Sequence, residues 1–266
     1  MNTWWLAYMA LGAAGGFFAG LMGIGGGTVL VPILAMLFAA QHFPPQHVLH
    51  LALGTSMAVI VFTSISSMRA HHSHGAVLWP VVFNITPGIL FGTLLGSVLA
   101  SHIPTRPLAV FFALFVFAVA VQMMLNIKPH PGRELPGKPG MFAVGSGIGA
   151  LSALVAIGGG ALSVPFMSWC NVKVHQAIGT AAAIGFPIAV GGAIGYILNG
   201  LGHGETLPAG SFGFVHLPAT AWVATVSVLF APLGARTAHR LPVATLKRIF
   251  AAILVLLAGK MAWNLF

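Results

Sequence analysis

The chemistry of this sequence is concentrated in two glycine triplets. Gly25-Gly26-Gly27 and Gly158-Gly159-Gly160 each lie inside an apolar run, and each is followed at the same distance by Val-Pro. Glycine costs a helix about 1 kcal/mol per residue relative to alanine, so each triplet should end one helix and start another. Helices predicted to begin at Thr28 and Ala161 would present first-turn N–H groups without intrahelical acceptors, together with roughly half a positive charge. Without a Cβ, that backbone is open to close approach by a ligand. Two such ends meeting at mid-membrane would hold an anion without burying a lysine or arginine. The competing explanation is that small residues only let helices pack closely. Recurrence of the whole triplet pattern favours a site, so Gly25, Gly26, Gly27, Thr28, Gly158, Gly159 and Gly160 are candidate ligand-binding residues.

Two Gly-Thr motifs add hydroxyls, Gly54-Thr55-Ser56 and Gly179-Thr180. A hydroxyl within a span can bond an oxyanion or the carbonyl four residues back, and the duplication tips the reading toward a site. Asn84 is a further polar candidate without a counterpart. His50 and His175 precede the two motifs at similar spacing. With no carboxylate in the apolar segments, they are candidate proton carriers, against a plainer role as interfacial polar residues. His71, His72 and His74 form a cluster expected on a solvated loop; metal binding there is the rival chemistry. Arg236 and Arg240 either snorkel or draw anions to one mouth. No serine–histidine spacing singles out a nucleophile, and Glu134 and Glu205 are the only acids. No enzymatic activity, cofactor or metal centre is therefore expected.

These residues must be positioned by membrane helices. The chain of 266 residues is 58% hydrophobic and 5% charged, against roughly 25% charged in soluble domains. Its mean hydropathy is +0.98. So few charges cannot clothe a soluble surface, and the lipid bilayer must be the solvent. The 11 Lys and Arg residues are scattered between apolar runs, which reads as loop charge and not as a nucleic-acid surface. Cys170 is the only cysteine, so no internal disulfide forms. The first apolar run, from Trp4, has no preceding basic residue and is read as mature protein.

Six segments have the length of a span: His47–Met68, Ala76–Ala100, Thr105–Ile127, His175–Leu198, Phe212–Ala235 and Val243–Leu265. Two more, Trp4–Ala40 and Met141–Ser168, contain the triplets and are expected to be broken. The Pro/Gly-rich segment 128–140 divides the chain into halves, 1–127 and 141–266. The halves repeat: GIGGGTVLVP (Gly23–Pro32) matches AIGGGALSVP (Ala156–Pro165), LALGTS matches QAIGTA, and Gly96–Phe112 matches Gly234–Phe250. Single crossings of the broken segments would divide the basic residues five against six. Hairpins place nine on one side, leaving only Arg106 and Lys260 opposite, as the positive-inside rule prefers. Each half is then a hairpin plus three helices, an odd number, so the halves are inverted. The expected fold is an all-α integral membrane protein of two inverted repeats. The 128–140 linker would be cytoplasmic, and both termini and Leu201–Ser211 periplasmic.

The stretches GGFFAGLMGIGGGTVLVP (Gly15–Pro32), LALGTS (Leu51–Ser56), AIGGGALSVP with AIGTA, LPAGSFGFVHLPA (Leu207–Ala219) and APLGARTAHRLP (Ala231–Pro242) resemble the sulfite exporter TauE/SafE family of membrane permeases over essentially the whole chain. The resemblance implies a multi-pass transporter of the bacterial inner membrane, with a small anionic sulfur compound such as sulfite or a sulfonate as substrate. It also implies ligand roles for the glycine hairpins and the Gly-Thr motifs. In the second motif Ala181 replaces serine, so the halves would contribute unequally. Export is the expected direction, the alternative being a histidine-dependent metal-cation permease or channel. A homodimer is compatible with this plan.

Overall fold

A computed structural model describes residues 4–22, 26–125, 132–238 and 243–263. The helices follow the apolar runs: α1 (Trp4–Met22), α2 (Gly27–Ala40), α3 (Val48–Ser73), α4 (Trp79–His102), α5 (Thr105–Met124), α6 (Lys138–Val155), α7 (Gly160–Trp169), α8 (Val174–Gly200), α9 (Leu217–Ala238) and α10 (Val243–Trp263). Between α8 and α9 lie a short 3-10 helix, Leu201–Thr206, and a two-stranded ribbon pairing Ser211–Phe212 with Val215–His216. That ribbon occupies residues expected to open the span at Phe212. Gly210 and Gly213, both with positive φ, turn the chain there instead.

Both broken segments are broken where the triplets fall. Gly26 caps α2 with φ 76°, and Gly159 caps α7 with φ 85°. Each new helix starts one residue earlier than expected, at Gly27 and Gly160. The two arms of each hairpin differ in length. α1 and α6 have 19 and 18 residues, α2 and α7 only 14 and 10. At 1.5 Å per residue the short arms reach about 21 and 15 Å, below the ~30 Å hydrocarbon thickness. Among the described residues seven helices are long and apolar enough to cross a membrane: α1, α3, α4, α5, α6, α8 and α9.

α3 and α8 form the centre, with about three quarters of their spanning windows buried. They pack on each other; α9 lies on α3, α4 on α8, α1 along α9, α6 along α4, and α5 along α10. Every one of these pairings has its counterpart when the halves are exchanged. Close approach along the peripheral pairs relies on small residues. A Cβ on Gly16 would meet the Ser227 carbonyl at 2.4 Å, and one on Gly92 the Ser146 carbonyl at 2.0 Å.

The His71-His72-Ser73-His74 cluster is a correction to the expected loop. α3 runs on through Ser73 with His74 as its cap, and His71 is buried, its Nε2 3.4 Å from the Gly20 carbonyl. The polar residues looked like a loop, but packing against α1 keeps the helix going.

Candidate functional site

The two hairpin tips meet. A Cβ on Gly27 would lie 1.7 Å from the Ala156 carbonyl oxygen and 3.0 Å from Cδ1 of Ile60. Only glycine lets the start of α2 sit against the end of α6 in this way. The second tip rests on α8: Gly159 faces the Ala181 carbonyl, Ile184 and Ile188, while Gly185 faces the Gly158 carbonyl and Ser64 of α3. Ile60, Ser64 and Gly185 stand near the midpoints of α3 and α8. The tips therefore gather at mid-depth, between the two most buried helices.

Polar groups at the tips are left without partners. The hydroxyls of Thr28, Ser56, Ser152 and Ser163 are fully buried, and none has a hydrogen bond. Thr28 follows Gly27. Ser56 is one turn from Ile60, Ser152 one turn before Ala156, and Ser163 one turn after Gly159. An unsatisfied buried hydroxyl costs about 1–3 kcal/mol, so four within a turn of the residues that meet at the tips demand an explanation. The backbone adds donors. Val29 and Leu30 both donate to the Gly26 carbonyl, and Leu162 and Ser163 to that of Gly159. Gly160 and Ala161 precede the first such bond of α7, so their N–H groups point out of the helix start. The surroundings are apolar, from Ile60, Val155, Ile157, Ile184 and Ile188, and a low dielectric strengthens any hydrogen bond to an anion. Among the described residues no lysine, arginine or glutamate is buried.

The structure gathers Gly26, Gly27, Thr28, Ser56, Gly158, Gly159 and Gly160 at or within a turn of this contact; Gly25 lies outside the described residues. The Gly-Thr motifs have a second employment. Thr55 Oγ1 accepts the N–H of His216 at 2.9 Å, and Thr180 Oγ1 accepts the N–H of Leu78 at 2.9 Å. These are the residues that lead into α9 and α4. Beside them, a Cβ on Gly54 would meet the Phe214 carbonyl at 2.2 Å, and one on Gly179 the Ala76 carbonyl at 2.5 Å. Each motif thus fastens the entry of a helix from the other half onto α3 or α8. The threonine protons stay available to a ligand, but the acceptor side of each hydroxyl is used by the scaffold.

Asn84 is exposed on α4 beside Phe83, which is 69% exposed, and is not brought to the tips. His50 is buried at the first turn of α3, where its Nε2 lies 3.1 Å from the carbonyls of both Ala100 and Ile103; Nε2–H donates to them and ties α3 to the end of α4. His175 is exposed. His72 meets Trp79 edge-on and accepts its indole N–H at Nδ1 at 3.3 Å, and His74 lies 2.7 Å from the Ala70 carbonyl, so with His71 turned to α1 the three imidazoles do not converge. Arg240 lies outside the described residues. Ser152 and Ser163 were not singled out by sequence. Ser163 carried a usable signal, being the hydroxyl that the second repeat places where the first has Leu30.

Outside the spans, burial alone pushes the pKa of His216 down to about 4. Its Nδ1 accepts the Ala219 N–H at 3.3 Å, and Phe38 and Phe43 pack edge-on against its ring. His47 is also lowered, first by burial and then by neighbouring His203 and His50.

A family model described as sulfite exporter TauE/SafE matches residues 8–261, from the first turns of α1 to the last turn of α10. The chain belongs to the TauE/SafE family. It is similar to a probable membrane transporter protein of Haemophilus influenzae, 35% identical over 262 residues, covering 98% of this chain and 99% of that protein. It also resembles the probable membrane transporter protein YdhB of Bacillus subtilis, 29% identical over 70% of this chain and 76% of that one. The probable membrane transporter protein MJ0441 of Methanocaldococcus jannaschii is 27% identical over 90% of this chain and 88% of its own length. No solved structure matches the chain. As a TauE/SafE protein with seven spanning-length helices among the described residues, it is a multi-pass membrane transporter of a small molecule.

Proposed function

We propose that this TauE/SafE protein exports a small sulfur oxyanion, sulfite or an organic sulfonate, across the bacterial inner membrane. The anion binds where the two glycine-broken hairpins meet. The observation that carries this reading is the set of four orphaned buried hydroxyls, each within a helical turn of a residue at the hairpin tips. Thr28, Ser56, Ser152 and Ser163 donate to the anion's oxygens, as do the first N–H groups of α2 and α7. Fixed dipoles with no net charge suit an anion that must also leave, because a buried arginine would hold it too tightly. The halves, 1–127 and 141–266, act as inverted repeats about this midplane site and rock to expose it alternately. The matched bonds of Thr55 to His216 and Thr180 to Leu78 support that relation. Export runs with the membrane potential, worth about 2.3 kcal/mol per charge per 100 mV, so no coupling ion is required.

The test is thermal stability of purified protein against sulfite, sulfate, thiosulfate, taurine, sulfoacetate and chloride, with Ni²⁺ and Zn²⁺ as controls. At 100 times its dissociation constant a ligand should add about 2.7 kcal/mol. Stabilisation by one sulfur oxyanion, lost in Thr28→Val, is expected. Stabilisation by metal alone overturns the reading.

A further inference from the structure

A cationic feature lies away from the hairpin tips. The last three turns of α3 and the end of α9 enclose a pocket of about 570 Å³, with Phe62, Ile65, Arg69 and Ser73 on one wall and Val228 and Arg236 on the other. The α3 wall is a single helical stripe. Ser66 closes the floor, its hydroxyl donating to the Val228 carbonyl at 3.0 Å and clamping the two helices together. The pocket is open to the protein's perimeter. Phe62 at one end is 51% exposed, and Leu229 and Phe230 beside it are exposed too.

The groove is graded, apolar at the Phe62 end and cationic at the Arg69–Arg236 end. From Phe62 to Ser73 is eleven residues of helix, about 16 Å. That is half of a ~30 Å hydrocarbon core, the depth of one leaflet. Among the described residues neither guanidinium has a hydrogen-bond or ion-pair partner, and neither acid of the chain lines the groove.

The sequence repeat supplies a comparison within the same molecule. Matching Gly54 to Gly179 places Ile194 where Arg69 stands, and matching Gly96 to Gly234 places Val98 where Arg236 stands. Ile194 and Val98 are 46% and 42% exposed. The second copy of this helix pair is therefore apolar at both positions. General snorkelling explains an arginine near a helix end. It does not explain two facing one another across a leaflet-deep apolar groove.

We infer that this groove binds one anionic phospholipid, its phosphate held by Arg69 and Arg236 and an acyl chain lying along Phe62, Ile65 and Val228. Guanidinium forks suit a phosphate geometrically and are less hydrated than lysine, which favours them at a lipid headgroup. The arginines share the side expected to be cytoplasmic, so the occupant comes from the inner leaflet. A bound lipid would splint α3 to α9, two helices from opposite halves.

The test is native mass spectrometry of delipidated full-length protein titrated with phosphatidylglycerol or phosphatidylcholine, with melting curves in phosphatidylglycerol, inorganic phosphate or sulfate. One phosphatidylglycerol should be retained in preference to phosphatidylcholine. Retention should weaken at least about tenfold in Arg69→Gln/Arg236→Gln, persist largely in Arg69→Lys/Arg236→Lys, and be unchanged in Lys260→Gln. The lysine pair keeps the test valid if the glutamine pair folds poorly. Equal retention of both lipids, or equal retention by the glutamine pair, overturns the proposal. So does stabilisation by free phosphate or sulfate that the glutamine pair abolishes, since the groove would then take a soluble anion.

Discussion

Replacing Gly27 by alanine tests the contact on which the site depends. The added Cβ would stand 1.7 Å from the Ala156 oxygen, and ordinary contact begins near 3.4 Å, so the tips must part by about 1.7 Å. The obstacle is backbone, which cannot rotate aside. Overpacking of this kind typically costs 1–3 kcal/mol, and here the larger end applies because two helix ends must move. Alanine at the first position of α2 recovers at most about 1 kcal/mol through helix propensity. The net expectation is a loss of about 1–2 kcal/mol, a melting temperature lower by several degrees. Transport should suffer more than stability, because a constellation of donors must be held within about 0.5 Å to work. The assay pairs melting curves with flux of the stabilising anion in proteoliposomes, and Gly147→Ala is the control. Gly147 is an exposed helical glycine of α6 with open space at its Cβ, so its alanine should be neutral or slightly stabilising. Wild-type melting and flux in Gly27→Ala would refute the tip contact and the site built upon it.

The orphaned hydroxyls and the tied threonines should respond with opposite signs. Thr28→Val and Ser56→Ala remove unsatisfied oxygens, so apo stability should hold or rise while anion affinity falls about ten- to a hundredfold, read from ligand-dependent melting. Thr55→Ala strands the buried N–H of His216 and should cost about 1–3 kcal/mol without ligand, with Thr55→Ser restoring most of it. His216 adds a pH effect. Its pKa falls from 6.5 to about 4 in the fold, so the unfolded chain binds its proton first. Stability is full above pH 6.5 and declines as pH drops toward 4, by up to about 1.4 kcal/mol per pH unit; His216→Asn should flatten that decline in acid melting curves.

Sequence alone determined the solvent, the helices and the breaks. Eleven basic residues and two acids in 266 leave no choice but a bilayer, and three glycines in a row end a helix wherever they stand. Local rules sufficed because the causes are local. The β ribbon before α9 and the helical course of His71 escaped them, because each is decided by what packs alongside. The same division runs through the candidate site. Thr55 and Thr180 were legible as a repeated pair of buried hydroxyls, but not as acceptors for His216 and Leu78 respectively, residues 161 and 102 positions away. Asn84 was a further polar candidate without a counterpart, and only the packing of α4 turned it outward. Ser152 and Ser163 read as ordinary small helical residues until the tips enclosed them. A glycine triplet states that backbone will be bare; whether the bare backbone faces lipid, a neighbouring helix or a second bare tip is set by contacts between the halves. Those contacts depend on shape complementarity across the whole bundle, which no single segment of the chain encodes.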